Sequence, residues 1–214
     1  MTEKRIGILG SGDVGKALAR GFARHGWDVQ VGTRSPEKLD AWLDETDESV
    51  SVGSFGDAAT RGELVVLAVR GGAVDDVLDL VDDDAFRGKL LLDATNPLEF
   101  SDGEPQLLFG GTESLGERVQ TRLPDTHVVK CFNTVSNAQM VDPTFEAETP
   151  PMFVCGNDAA AKKETDALLV ELGWPGTTDA GDITSARYLE ALVPLWVRVG
   201  QQLGTYDHAF TVVR

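Results

Sequence analysis

Apolar residues in this chain fall into two alternating kinds of run. Short, nearly continuous blocks at 6–9, 64–69 and 90–92 have the character of strands covered on both faces. Between them, apolar positions recur every third or fourth residue. Val14, Leu18 and Phe22 make one such stripe, and Val74, Val77, Leu78 and Val81 make another. The full pattern predicts strands at 5–9, 28–32, 50–53, 64–69, 90–93, 127–131 and 152–155. Helices are predicted after residue 12, from Ser35-Pro36 through Lys38, around 57–60, across 74–81, and at 114–123, 159–172 and 183–203, the last capped by Asp182. Residues 100–111 carry glycine and proline without a period and read as a loop. Strand and helix in regular alternation imply an α/β architecture with a mostly parallel sheet.

The junction between the first strand and the first helix is the most informative stretch. Gly10, Gly12 and Gly15 have G-x-G-x-x-G spacing, and they lie where an apolar strand gives way to a helical stripe. The first glycine allows the tight turn, the second lets a pyrophosphate approach the backbone, and the third brings helix and strand close. The open N–H groups of the helix start then face the phosphates. This context implies a Rossmann-type, doubly wound α/β fold that binds a dinucleotide. The alternative is a glycine turn in an α/β protein that holds no nucleotide.

Which nucleotide is indicated at the end of the second strand. NAD-binding chains carry an acidic residue there, about 20 positions on, for the ribose 2′-hydroxyl. Here Arg34 stands 19 positions past Gly15 (34 − 15), flanked by Thr33 and followed by Lys38. A hydroxyl, a guanidinium and an ammonium suit a 2′-phosphate, so NADP(H) is favoured over NAD(H). Later strand ends carry Arg70-Gly71-Gly72 and Ala94-Thr95-Asn96-Pro97. They should lie near the nicotinamide, because open α/β sheets bind ligands beyond the carboxyl ends of their strands.

Charge narrows the partners. A net charge of −16 leaves no basic footprint for nucleic acid. The apolar stretch at 188–203 is interrupted by Glu190, Pro194 and Arg198, so a membrane span is not expected. Cys131 and Cys155 each end an apolar run and read as buried thiols of a reducing, cytoplasmic compartment. Lys130 neighbours Cys131, but strand alternation turns the two side chains to opposite faces. No Cys/His pattern suggests a metal, and His25, His127 and His208 are given no ligand role. No Ser/His/Asp or Cys/His constellation stands out, and no catalytic residue is assigned. Pro143 and Pro150-Pro151 punctuate the chain. They suggest a nucleotide-binding domain at 1–142 and a small, largely helical C-terminal extension at 143–214. In the last helix Leu189, Leu192, Leu195, Trp196 and Val199 fit either core or a dimer contact.

Several stretches together resemble the NADP oxidoreductases that depend on the deazaflavin coenzyme F420. They are residues 10–15 (GSGDVG), 32–38 (GTRSPEK), 93–98 (DATNPL), 129–135 (VKCFNTV), 153–158 (FVCGND) and 179–187 (DAGDITSAR). The cytosolic domain of the STEAP reductases is similar in pattern. The resemblance implies hydride transfer between NADPH and the deazaflavin. It implies nucleotide contacts at Ser11, Gly12, Asp13, Val14, Thr33, Arg34 and Lys38. Ala68, Val69, Arg70, Ala94, Thr95 and Asn96 would border the nicotinamide. Phe132, Asn133, Thr134 and Val135 would floor a second pocket. Apart from the resemblance, the long apolar helix of the extension is expected to close that pocket and join two subunits of a homodimer. An NADPH-dependent reductase of another acceptor (ferric ion through a flavin, a carbonyl, an imine) and a non-enzymatic NADP sensor stay open beside that reading.

Overall fold

The computed structural model describes residues 4–47 and 49–213. Its centre is an eight-stranded sheet in the order β10-β9-β8-β5-β4-β1-β2-β3. The strands are β1 (Arg5–Leu9), β2 (Asp28–Gly32), β3 (Val50–Gly53), β4 (Leu64–Leu67), β5 (Leu90–Asp93), β8 (His127–Lys130), β9 (Met152–Gly156) and β10 (Thr177–Asp179). Every neighbouring pair is parallel except β8 and β9. The first six strands have the doubly wound Rossmann order, reversing direction of travel between β1 and β4. The glycine spacing and the apolar blocks predicted this fold class, and the structure has it.

Alternation along the buried strands divides the core into two layers. Val66, Leu92 and Val129 pack with Leu18 and Phe22 of α1 (Asp13–Arg24) and Leu169 of α6 (Ala159–Glu171). Their neighbours Val65, Leu67, Leu91 and Val128 face the other way. They meet α3 (Phe55–Arg61), α4 (Val74–Leu78) and α5 (Leu115–Arg122). Both faces of β4 and β5 are therefore covered, which explains runs as apolar as Leu-Val-Val-Leu. Each fully buried aliphatic side chain of this kind stabilises by about 1.5–3 kcal/mol before entropy is counted.

Four local differences from the sequence expectation have physical causes. Residues 100–111 are not simply a loop. They continue a hairpin of β6 (Leu98–Ser101) and β7 (Glu104–Leu107). Its Asp102-Gly103 turn has φ of 52° and 81°, the geometry that makes Asp-Gly a hairpin signal. The exposed Glu99, Phe100 and Glu104 hide the alternation that would have marked it. The segment opened by Ser35-Pro36 is a tight 3-10 turn, Pro36–Leu39, followed by the single-turn α2 (Asp40–Leu43). Asp182 caps another 3-10 turn, Ile183–Ser185, before α7 (Ala186–Leu203) begins. The three-residue, largely polar β10 left no apolar signature.

In α7, Leu189 and Trp196 are core, Leu192 and Val199 are half-buried, and Leu195 is exposed. The chain beyond it folds back, stacking His208 on Trp196 with ring centres 4.9 Å apart. No helix among the described residues is long and apolar enough to cross a membrane.

Candidate active site

The cleft is built at the carboxyl ends of β1, β2, β4 and β5. Gly10 has φ of +132°, and its N–H donates to the Gly32 carbonyl at 3.0 Å, turning the chain sharply off β1. A Cβ on Gly15 would lie 1.9 Å from the Gly10 carbonyl oxygen, so only glycine lets α1 start this close. The first helical bond runs from the Lys16 N–H to the Gly12 carbonyl. Among the described residues no side chain caps the helix, and a Cβ added at Gly12 would meet nothing within 4 Å. The open N–H groups of a twelve-residue helix therefore face empty space, as an anion site requires.

Beside this start lies a cavity of about 260 Å³ lined by Gly10, Ser11, Gly12, Thr33, Arg34, Phe55, Ala68, Val69 and Arg70, among others. The Ser11 hydroxyl donates to the Thr33 Oγ1 at 3.1 Å, tying the glycine loop to the end of β2. Arg34 is exposed at its rim. Lys38 is exposed one turn away and lines neither cavity described here. A second cavity of about 620 Å³ adjoins the first and is lined by Gly12, Asp13, Val14, Ala68, Val69, Arg70, Ala94 and Phe100. Gly15 is buried beneath both.

Thr95, Asn96 and Asn133 lie deeper. The Thr95 N–H and hydroxyl both donate to Asp93 Oδ1, at 2.9 and 2.6 Å. The Asn96 amide donates to the Asn133 carbonyl, and the Asn133 amide to Asn96 Oδ1 and the Leu189 carbonyl. This lock joins the ends of β5 and β8 to α7. Phe132, buried with φ of +65°, turns the chain so that Asn133 reaches it. The Asn133 Oδ1 is buried with no partner among the described residues.

A buried charge cluster supports the lock, and the sequence reading missed it. The Lys130 ammonium is wholly buried, 2.9 Å from Asp93 Oδ2 and 2.7 Å from Glu190 Oε1, and it also donates to the Thr95 carbonyl at 2.6 Å. Glu190 in turn accepts the Leu115 and Gly116 N–H groups at the start of α5. Burial works against the ammonium, but Asp93 and Glu190 outweigh it and raise the Lys130 pKa. Burial also raises the Glu190 pKa, with Lys130 opposing. A signal was present in the sequence. Asp93 and Lys130 are lone charges ending apolar strands, in direct register, and Glu190 is a lone acid in an apolar helix.

Both cysteines are fully buried and free. Burial pushes the Cys131 thiol far up and the Cys155 thiol up to about 12. Among the described residues no group of three or more His, Cys, Asp or Glu side chains is arranged to hold a metal.

The fold and the cleft define a dinucleotide site of the Rossmann class, with residues that fit NADP(H): an uncapped helix start and a threonine and arginine where an NAD site has an acid. Residues 5–97 match the family model described as NADP oxidoreductase, coenzyme F420-dependent. A crystal structure of a candidate F420-dependent NADP reductase from Arthrobacter sp. FB24 is 40% identical, covers 99% of this chain and 100% of its own, and superposes with a TM-score of 0.93. The F420-dependent NADP reductase of Methanocaldococcus jannaschii is 28% identical over 90% of this chain and 91% of its own length. Human metalloreductase STEAP2 is 27% identical over 98% of this chain, which spans only 41% of that longer protein. The chain belongs to the coenzyme F420-dependent NADP oxidoreductase family. It is an NADP-dependent oxidoreductase.

Proposed function

We propose that this protein transfers a hydride between NADPH and coenzyme F420 or a flavin-like acceptor. The observation that carries the reading is the second cavity. It adjoins the one at the helix start, is mostly apolar through Val14, Ala68, Val69, Ala94 and Phe100 beside Asp13 and Arg70, and among the described residues includes no serine, cysteine or histidine. Transfer between two bound redox cofactors depends on placement and exclusion of water rather than on a nucleophile or a proton relay.

When bound, NADPH supplies the hydride and the acceptor ring receives it. The chain's own work is binding and orientation. The N–H groups at Gly12, Asp13 and Val14 hold the pyrophosphate, with Gly10 and Gly15 setting the turn and Ser11 bracing it. Thr33, Arg34 and Lys38 hold the 2′-phosphate. Ala68, Val69, Arg70 and Ala94 form the wall for the nicotinamide, with Thr95 and Asn96 behind it. Asn133 fixes Asn96, and Phe132, Asn133, Thr134 and Val135 are buried and line neither cavity, so they act as packing beneath the second pocket rather than as its lining. The lock from Asn133 to the Leu189 carbonyl supports a role for residues 143–214 as an extension that closes the second pocket onto a domain at 1–142. Exposed Tyr188 and Leu195 on α7 support a homodimer, and two free buried thiols suit the cytoplasm.

Similarity to a metalloreductase favours, as a second reading, a flavin that passes electrons to ferric ion. Absorbance after mixing the protein with NADPH and F420, or NADPH and FMN, tests both readings. Bleaching of the deazaflavin band is expected. No change with either acceptor, alongside tight NADPH binding, would instead favour an NADP sensor.

A further inference from the structure

Cations in this acidic chain are mostly spoken for. Eight arginines, from Arg5 to Arg198, sit in ion pairs with carboxylates. Arg20 lies over the Trp42 ring, 5.5 Å from its centre. Of the described arginines, that leaves Arg34 and Arg70, and both open onto the same cleft. With a net charge of −16 there are carboxylates in excess for any exposed guanidinium. Two arginines left unpaired at one cleft therefore mark it as a place where anions from outside are held.

The two have different reach. Arg34 lines only the smaller cavity, whereas Arg70 lines both. Among the described residues that line the larger cavity, Arg70 is the single cation and Asp13 the single carboxylate. Asp13 occupies the first position of α1, where the positive helix end offsets its charge. Arg70 has no such compensation. On the proposed function, the anions of the nucleotide already have partners: the helix start for the pyrophosphate, and Thr33, Arg34 and Lys38 for the 2′-phosphate. Arg70 is the cation left over, and it stands where the acceptor would lie.

Its base is also held still. The Ala73 N–H donates to the Arg70 carbonyl at 2.8 Å. A Cβ on the next residue, Gly71, would lie 2.1 Å from the Asn96 carbonyl oxygen, so the turn is pressed against the end of β5. A fixed backbone under an unpaired guanidinium is suited to a planar, charge-assisted grip on a carboxylate or phosphate.

We infer that Arg70 is the residue that selects the acceptor, its guanidinium holding the anionic arm, phosphate or carboxylate, carried by the acceptor's ring. The inference rests on the hydride-transfer reading for which ligand fills the second cavity. Its test uses binding rather than turnover. Two ligand pairs share a ring and differ in the arm: FMN against riboflavin, and F420 against its deazaflavin chromophore lacking the phosphate-bearing tail. Affinities are measured by fluorescence on the NADP⁺-loaded protein, for wild type, Arg70→Met and Arg70→Lys.

Wild type is expected to bind the charged member of at least one pair about tenfold or more tightly, the size of a charge-assisted contact. Arg70→Met should remove that preference by weakening only the charged member. Arg70→Lys should keep part of it, and the ratio within each pair, measured at saturating NADP⁺, carries the test because Arg70 also borders the nicotinamide. Equal affinities within both pairs, a preference that survives Arg70→Met, or a loss confined to NADPH would each overturn the inference. The hydride-transfer reading fails separately: NADPH oxidation by none of these acceptors would remove it, while an Arg70-dependent preference in binding would leave the anionic arm standing.

Discussion

Arg34 stands where an NAD-binding Rossmann site carries an acid, and the consequence expected of it is selectivity for NADPH. Arg34→Ala should weaken NADPH by roughly 1.5–3 kcal/mol and barely change NADH. Titration of both nucleotides checks this, and equal losses would mean that Arg34 does not read the phosphate. The cysteines carry the opposite message. Burial holds both in the neutral thiol form, with Cys155 at about 12, so neither forms appreciable thiolate near neutral pH. Alkylation at pH 8 should label the native protein only as fast as it unfolds. Cys131→Ser and Cys155→Ser should lower stability more than turnover. Rapid labelling of the folded protein, or lost turnover in a stable Cys131→Ser variant, would point to thiol chemistry instead.

Two elements organise the site, and they differed in how plainly the sequence showed them. The β1–α1 junction was legible because glycine there answers a backbone demand: the Gly10 turn, and the contact of Gly15 with the Gly10 carbonyl. Gly12→Val should leave the fold intact, since a Cβ there has open space, yet remove nucleotide binding by filling that space. Circular dichroism with calorimetry separates the two effects. The Lys130 cluster was not legible as a unit. Its members are far apart in sequence, and alternation could assign Lys130 a face without saying that Asp93 and Glu190 wait there. Lys130→Met strands two buried carboxylates and should cost about 3–5 kcal/mol. Denaturant midpoints at matched pH measure it; wild-type stability would show that the cluster does not hold the end of β5. The β6–β7 hairpin was hidden for a third reason, because most of its residues face solvent and carry no burial period.

At the scale of the whole molecule, the parallel order of the first six strands follows from apolar blocks that must be covered on both faces, and it brings the ends of β1, β2, β4 and β5 to one cleft. Periodicity could not divide α7 between core and partner contact. The structure leaves Tyr188 and Leu195 exposed, 71% and 53%, while Leu189 and Trp196 are buried. Sedimentation should find a dimer, and Leu195→Glu should shift it toward monomer; a wild-type monomer would count against the α7 interface. The central claim is direct hydride transfer between two cofactors seated in adjoining cavities, without a protein nucleophile or proton relay. NADPH deuterated at the transferring carbon of its nicotinamide, mixed with F420 in ordinary water, tests it most directly. The account predicts that mass spectrometry finds the deuterium on the ring carbon of the reduced deazaflavin. Reduced deazaflavin carrying only solvent hydrogen, or no reduction at all, would contradict it.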